Sequence, residues 1–247
     1  MKSESELRES EVSAADDTFG QTPRERLRAA RRLLRAEVYY GASLLAFAAL
    51  TFFAYTYAYF GWDLRAARAV QSLTGLREFM RVVSIPGDGW TAHVISAVTV
   101  LMFLAVRRYS EGAALALSTG GGAILSRTFK VLIARPRPAP ELVDVFRAIE
   151  SKSFPSGHVT FYVCYFGFLY FVAYATLPRG SFARRAALAL TAAPVLLVGL
   201  SRVHLGEHWP SDTLGAYLMS GTWLALTLEI YRRWKKPSPV TGTESGA

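Results

Sequence analysis

Three short polar segments carry residue types that do chemistry. Lys130 to Pro138 reads KVLIARPRP, Phe154 to His158 reads FPSGH, and Ser201 to Asp212 reads SRVHLGEHWPSD. In the first, Pro136 and Pro138 stop a helix, so Lys130 stays on its last turns and Arg137 lies beside it in extended chain. Two cations so placed suit an anion. Interfacial snorkelling also accounts for Lys130 and Arg135, but it gives no reason for a proline-locked Arg137. In the second segment, Ser156, Gly157 and His158 open a helix whose unpaired N–H groups and positive dipole end attract anions. The plainer reading of the same residues is a serine N-cap with a turn glycine. In the third, His208 and Asp212 stand four residues apart, and Pro210 is a good first helical residue, which puts Asp212 in a first turn. From there the carboxylate can hold one imidazole nitrogen and leave the other as nucleophile or base. Arg202 offers a guanidinium fork for phosphate oxygens. A lone histidine near a lone aspartate is more often structural, and His204 and Glu207 are assigned to packing or support.

The elements that must position these residues are apolar. The chain has 247 residues, of which 51% are hydrophobic and 19% charged, with mean hydropathy +0.22. That composition is unlike a water-soluble globule and excludes disorder, collagen and disulfide scaffolds. The single cysteine, Cys164, lies in an apolar run and reads as a small buried hydrophobe. A bilayer core about 30 Å thick needs about 20 apolar residues per helix. Six runs approach that length, from Val38 to Phe60, Gly89 to Val106, Gly112 to Ile133, Val159 to Leu177, Ala186 to Leu200 and Leu214 to Tyr231. The expected fold is therefore all-α, a polytopic membrane bundle of six transmembrane helices. The fifth run is short and would borrow Phe182 or flanking arginine stems. Tyr39, Tyr40, Tyr59, Phe60, Trp62, Trp90 and Trp234 stand near run ends, as an interfacial belt requires.

Charge gives the orientation. Arginines precede the first run, and basic clusters follow the second, fourth and sixth, which places all four groups on one side, the cytoplasmic one. Both termini are then cytoplasmic, in an inner or plasma membrane. The first outer loop runs against this pattern, with Arg65, Arg68, Arg77 and Arg81 diluted only by Asp63, Glu78 and Asp88. The positive charges follow topology and form no recognition element for nucleic acid. The chain divides into a polar, partly disordered N-terminus at 1–36, a membrane domain at 37–233 and a disordered tail at 234–247. No cleavable signal precedes Val38. Residues Pro23 to Glu37 read equally as a basic amphipathic helix on the anionic inner leaflet and as the flank that fixes topology.

Under this topology all three segments emerge on the same outer face. Lys130, Arg137, Arg202, His158, His208 and Asp212, with the Ser156 hydroxyl and the Gly157 amide, converge on one site. Cations, two histidines and one carboxylate suit phosphoryl transfer without a metal or cofactor. In this order, the segments resemble the three-part signature of the type 2 phosphatidic acid phosphatase family, also called the lipid phosphate phosphatase superfamily. They match Lys, six residues, Arg-Pro; then Pro-Ser-Gly-His; then Ser-Arg, five residues, His, three residues, Asp. Each piece is weak alone and the ordered triple is highly specific. The resemblance implies a core shared with the vanadate-dependent haloperoxidases, whose soluble branch the six runs argue against.

The resemblance further implies a covalent route. His208 would attack phosphorus with Asp212 holding its tautomer, giving a phosphohistidine. Lys130, Arg137, Arg202, Ser156 and Gly157 would hold the phosphoryl oxygens, and His158 would protonate the leaving oxygen and later activate water. The substrate would be a lipid of the bilayer, phosphatidate, phosphatidylglycerol phosphate or undecaprenyl diphosphate. A phosphotransferase with a lipid or sugar acceptor is the nearest rival, and an idle lipid-phosphate binder the more distant one. The glycine run Gly120, Gly121, Gly122 admits either a neighbouring helix or an acyl chain. The loop from Pro140 to Lys152, with Glu141, Asp144 and Glu150, is the segment most able to shape headgroup selectivity.

Overall fold

A computed structural model of the chain describes the backbone of residues 23–235 and side chains from residue 37 onward. The readings made for residues 1–22, for the side chains of the basic stretch and for the tail beyond Lys235 lie outside the described residues. Every regular element described is helical: α1 (Pro23–Thr56), α2 (Gly61–Gln71), α3 (Arg77–Ser84), a 3-10 turn (Ile85–Gly87), α4 (Gly89–Ala105), α5 (Tyr109–Ile133), α6 (Gly157–Thr176), α7 (Phe182–His204) and α8 (Pro210–Lys235). The described residues divide into two units between Ser43 and Leu44, and the unit from Leu44 holds all that follows.

α6 is apolar on every side, which fits only the middle of a bundle. Val159, Tyr162, Cys164 and Phe168 are fully buried, and α5, α7 and α8 pack around them. Outward faces stay apolar, with Leu45, Phe52, Leu101, Ile124, Leu190 and Leu196 exposed, as a hydrocarbon solvent permits. α5 approaches closely because of its glycines. A Cβ on Gly121 would collide with the Trp223 ring of α8, and one on Gly122 would come 2.6 Å from Cys164 Sγ, whereas one on Gly120 would meet nothing within 4 Å. Two glycines of the run thus serve helix packing, and Gly120 faces open space. At the far end, buried Glu111 accepts hydrogen bonds from Arg108, Tyr231 and Lys235, tying the start of α5 to the end of α8.

By length and apolarity, three described helices qualify as membrane spans: Glu37–Thr56, Gly157–Thr176 and Phe182–His204. A fourth arises if Arg77–Gly87 and Gly89–Ala105, bent by 53°, count as one broken span. The six sequence-predicted runs fall almost wholly in helix, but the count of six spans is not reached on these criteria. α5 and α8 have 25 and 26 residues, yet their serines, threonines, glycines and charges make them more polar than a simple span. The fifth run, short in the sequence, is lengthened at both ends into 23 helical residues. The segment read as an outer loop is largely helix, forming α2 and α3.

Because Trp223 occupies the room a side chain at position 121 would need, Gly121→Val should cost about 1–3 kcal/mol of stability. A melting curve in detergent should show the drop for Gly121→Val and none for Gly120→Ala.

Candidate functional site

The end of α5 sets the first group. Ala134 takes a left-handed conformation (φ 51°) and turns the chain out of the helix. Lys130, on the last turn, donates from Nζ to the carbonyl of Lys152 at 2.5 Å. Past the helix, Arg137 donates to the Ser151 carbonyl at 2.6 Å and to the Glu207 carbonyl. Its Nη1 also donates to His208 Nε2 at 3.2 Å. Between them Arg135 turns inward. Its side chain is 0% exposed and pairs with both Asp63 (3.0 Å) and Asp212 (2.6 Å). The snorkelling account of Arg135 is therefore wrong: its guanidinium is a buried strut, stacked over the Phe60 ring as well.

The start of α6 sets the second group. Ser156 is the N-cap residue by position, but its hydroxyl makes no capping bond and is buried without any hydrogen-bond partner. An orphaned hydroxyl at a helix start points to a ligand more than to a cap. Two residues on, His158 Nε2 lies 3.1 Å from Asp88 Oδ1. Asp88 reaches it from the bend between the 3-10 turn and α4. Gly87 there must lack a side chain, since a Cβ would come 2.6 Å from the His158 ring.

The turn between α7 and α8 sets the third. Gly206 has φ +66°, and a Cβ on it would strike the Asp144 carbonyl, so only glycine allows this turn to meet the 139–152 loop. Gln71 clamps the same place, donating to the carbonyls of Asp144 and His204. His208 then points Nδ1 toward Asp212 Oδ2 (3.5 Å) and Ser153 Oγ (3.4 Å). Asp212 accepts hydrogen bonds from Arg135 (2.6 Å), the Ser153 hydroxyl (2.5 Å) and the Trp209 amide (2.8 Å). Arginine donates only, so Nε2 of His208 carries the lone pair and the ring proton sits on Nδ1.

A chain of alternating charge links the histidine of α6 to the arginine of α7. Asp88 pairs with Arg147 (2.5 Å), Arg147 with Glu207 (3.1 Å), and Glu207 with Arg202, whose Nη1 also donates to Ser84 Oγ at 2.8 Å. Hydrogen bonding from His158 and Arg147 holds the Asp88 carboxyl far below the usual carboxylate range. Burial, reinforced by Arg137, Lys130 and Arg202, pushes His208 well below the ordinary imidazole value. Burial also draws the Arg137 guanidinium down to about 10.

Lys130, Arg137, Gly157, His158, Arg202 and His208 all line one cavity of about 1120 Å³, and Ser156 and Asp212, neighbours of these in the chain and in contact, are fully buried. The eight residues singled out in the sequence therefore lie together in space. Sequence reasoning misses Asp63, Asp88, Arg135, Arg147 and Ser153. The one available signal was that Asp63 and Asp88 are acids in an otherwise basic segment, and reading them as charge dilution overlooks their work. The assignment of His204 and Glu207 to support agrees with their contacts, His204 to the Leu73 carbonyl and Glu207 to two arginines. Tyr59 and Phe60, read as interfacial belt, instead stack on Trp209 and Arg135 beside the site.

Residues 111–236, half of the chain, match the PAP2 superfamily, and the chain belongs to that family. Phosphatidylglycerophosphatase B of Bacillus subtilis (strain 168) is 31% identical over 113 residues, which is 45% of this chain and 53% of that protein. The match thus spans about half the length of this curated relative. The crystal structure of the first transmembrane PAP2 type phosphatidylglycerolphosphate phosphatase, from Bacillus subtilis, has a TM-score of 0.69 at 24% identity, covering 81% of this chain and 98% of that one. The crystal structure of Aquifex aeolicus LpxE has a TM-score of 0.53 at 22% identity, covering 69% and 96%. The fold is shared with both, and the chain is a membrane protein.

Removing the strut should be severe. Arg135→Met leaves Asp63 and Asp212 buried without a counter-charge, a cost of about 3–5 kcal/mol. The expected outcome is loss of monodisperse protein in detergent, or a melting point far below wild type. A variant melting as wild type does would refute the strut.

Proposed function

We propose that the chain is an integral membrane lipid phosphatase that hydrolyses a phosphomonoester or diphosphate of a lipid through a phosphohistidine on His208, without a metal. The observation that carries this is the pose of His208, a residue of the cavity wall whose unprotonated Nε2 accepts from Arg137, another cavity residue, while Nδ1 faces Asp212 and Ser153. Nε2 attacks phosphorus, forming the N–P bond as the bond to the lipid oxygen breaks. His158, oriented through Nε2 by Asp88, gives a proton to that leaving oxygen. It then takes one from water, which attacks phosphorus, breaks the N–P bond and frees phosphate. Lys130, Arg137 and Arg202, with the Ser156 hydroxyl and the Gly157 amide, hold the oxygens as charge shifts among them, the role a divalent cation takes in other phosphoryl-transfer enzymes. Asp212 steadies the imidazolium formed in the first step.

The names of the relatives favour a glycerophospholipid phosphate, with phosphatidate and undecaprenyl diphosphate as further substrates to test. In this reading the phosphatase domain is 37–233, with six helices crossing the membrane, both termini cytoplasmic and the cavity on the extracytoplasmic side. The end of α5, the start of α6 and the α7–α8 turn, which carry the site, support it by falling at one end of the bundle.

Purified protein in detergent, with EDTA present, should release phosphate from at least one of these lipids. His208→Ala should lower the rate by roughly 10³-fold or more. Failure to trap a labelled phosphohistidine during turnover, or activity abolished by EDTA, would refute the route. Turnover that requires an added lipid or sugar acceptor would make the protein a phosphotransferase. The pH profile should be bell-shaped. Because the folded protein holds His208 neutral down to well below its ordinary value of about 6.5, the acid limb should fall below that pH, and a sigmoidal profile insensitive to His158→Ala would refute the division of labour between the two histidines. Asp88→Asn should lower kcat about tenfold or more with little change in KM, since it orients a proton donor and does not bind substrate.

A further inference from the structure

Three cations of the cavity wall, Arg127, Arg147 and Lys152, stand outside the phosphate-holding set, and Arg127 is the one carried on α5 itself. Arg127 lies on α5 three residues before Lys130, is exposed, and lines the same cavity. Side chains so spaced share a helix face, with Cβ atoms about 5–6 Å apart. Of the other cavity arginines, Arg147 is paired with Asp88 and Glu207, while Arg137, on the carbonyls of Ser151 and Glu207, and Arg202, on Glu207 and Ser84, serve the scissile phosphate in the reading above. Arg127 has no hydrogen-bond, ion-pair or ring partner among the described residues. Neither acid of the cavity wall supplies one: Asp88 is bound to Arg147 and His158, and Glu150 makes no ion pair with Arg127. An unpaired guanidinium on a membrane helix is costly unless a ligand or water meets it.

Its position says what that ligand is. Arg127 is nearly one turn closer to the middle of α5 than Lys130, on the side toward which a lipid tail must run from a phosphate at His208. The wall beyond it is open, because Gly120 leaves space no side chain fills. A second phosphate between the scissile group and the tail would fall there, and a guanidinium fork binds phosphate oxygens in pairs. We infer that Arg127 binds a second phosphate of the lipid headgroup and so selects lipids bearing two phosphates over phosphatidate. That phosphate is either the phosphodiester of a phosphoglycerol lipid or the inner phosphate of a polyprenyl diphosphate. The inference rests on the lipid phosphatase reading for its substrates.

The test compares wild type, Arg127→Gln and Arg127→Lys on phosphatidate, phosphatidylglycerol phosphate and undecaprenyl diphosphate. Arg127→Gln should lower the preference in kcat/KM for the two-phosphate lipids over phosphatidate about tenfold, mainly through KM, and Arg127→Lys should restore part of it. The lipid whose preference changes identifies which second phosphate is held. An equal loss on all three lipids, as a snorkelling or packing role gives, or no loss on any, overturns the inference. A binding measurement separates its failure from that of the phosphatase reading. Phosphatidylglycerol phosphate and undecaprenyl diphosphate are added to His208→Ala protein, and the rise in melting temperature is compared with and without Arg127→Gln. A rise that depends on Arg127, where wild type hydrolyses none of the lipids, keeps the subsite and sinks the phosphatase. A rise independent of Arg127 sinks the subsite.

Discussion

The site depends on one buried guanidinium. Arg135 leaves the end of α5 just past a left-handed residue and spans Asp63 of α2 and Asp212 of α8, all three side chains out of contact with solvent. Three charges in so little water are stable only as a set, because each ion's lost hydration is returned by its partners. Ser211 completes the set, donating from both its amide and its hydroxyl to Asp63. The geometry that makes the network tolerable also fixes where Asp212 points, and Asp212 in turn faces His208. An ion network that would read as a stability device is thus the mounting of the histidine.

The opposite wall is mounted by a different route. The chain bends by 53° between the Arg77–Gly87 segment and α4, and the bend presents Asp88 to His158 while Gly87 clears the ring. From Asp88 the charges alternate through Arg147 and Glu207 to Arg202, so the loop after α5, the turn after α7 and the bend before α4 are joined electrostatically. Backbone contacts tie the loop to the turn, with the Phe146 amide donating to the Leu205 carbonyl and Gln71 bridging the carbonyls of Asp144 and His204. Both histidines therefore stand on framework held by charge and hydrogen bonds as well as by apolar packing.

The rest of the bundle frames the cavity. α6 buries residues around most of its circumference in the core, and α5 carries small and polar residues along the face it turns to the cavity. The cavity is charged at the His158–His208 end and, further along α4 and α5, is lined by the small residues Ala92, Ser96, Thr119, Gly120 and Ala123 together with His93. One opening thus joins a charged end to a wall of small side chains.

Sequence alone determined the helical class, the order of the apolar runs and eight residues that the fold gathers together, six of them on the cavity wall and two buried beside it. It could do so because hydrophobic periodicity and the spacing of Lys130, Arg137, Ser156, Gly157, His158, Arg202, His208 and Asp212 are local properties of the chain. It did not reveal that Asp63, Asp88, Arg135, Arg147 and Ser153 hold those residues in place. Asp63 meets Arg135 across 72 positions and Asp88 meets His158 across 70, and no local pattern encodes such a pairing. Burial made the difference: a charge beside an apolar run reads as snorkelling or topology until the fold shows which charges have been taken out of water, and only then must each have a partner.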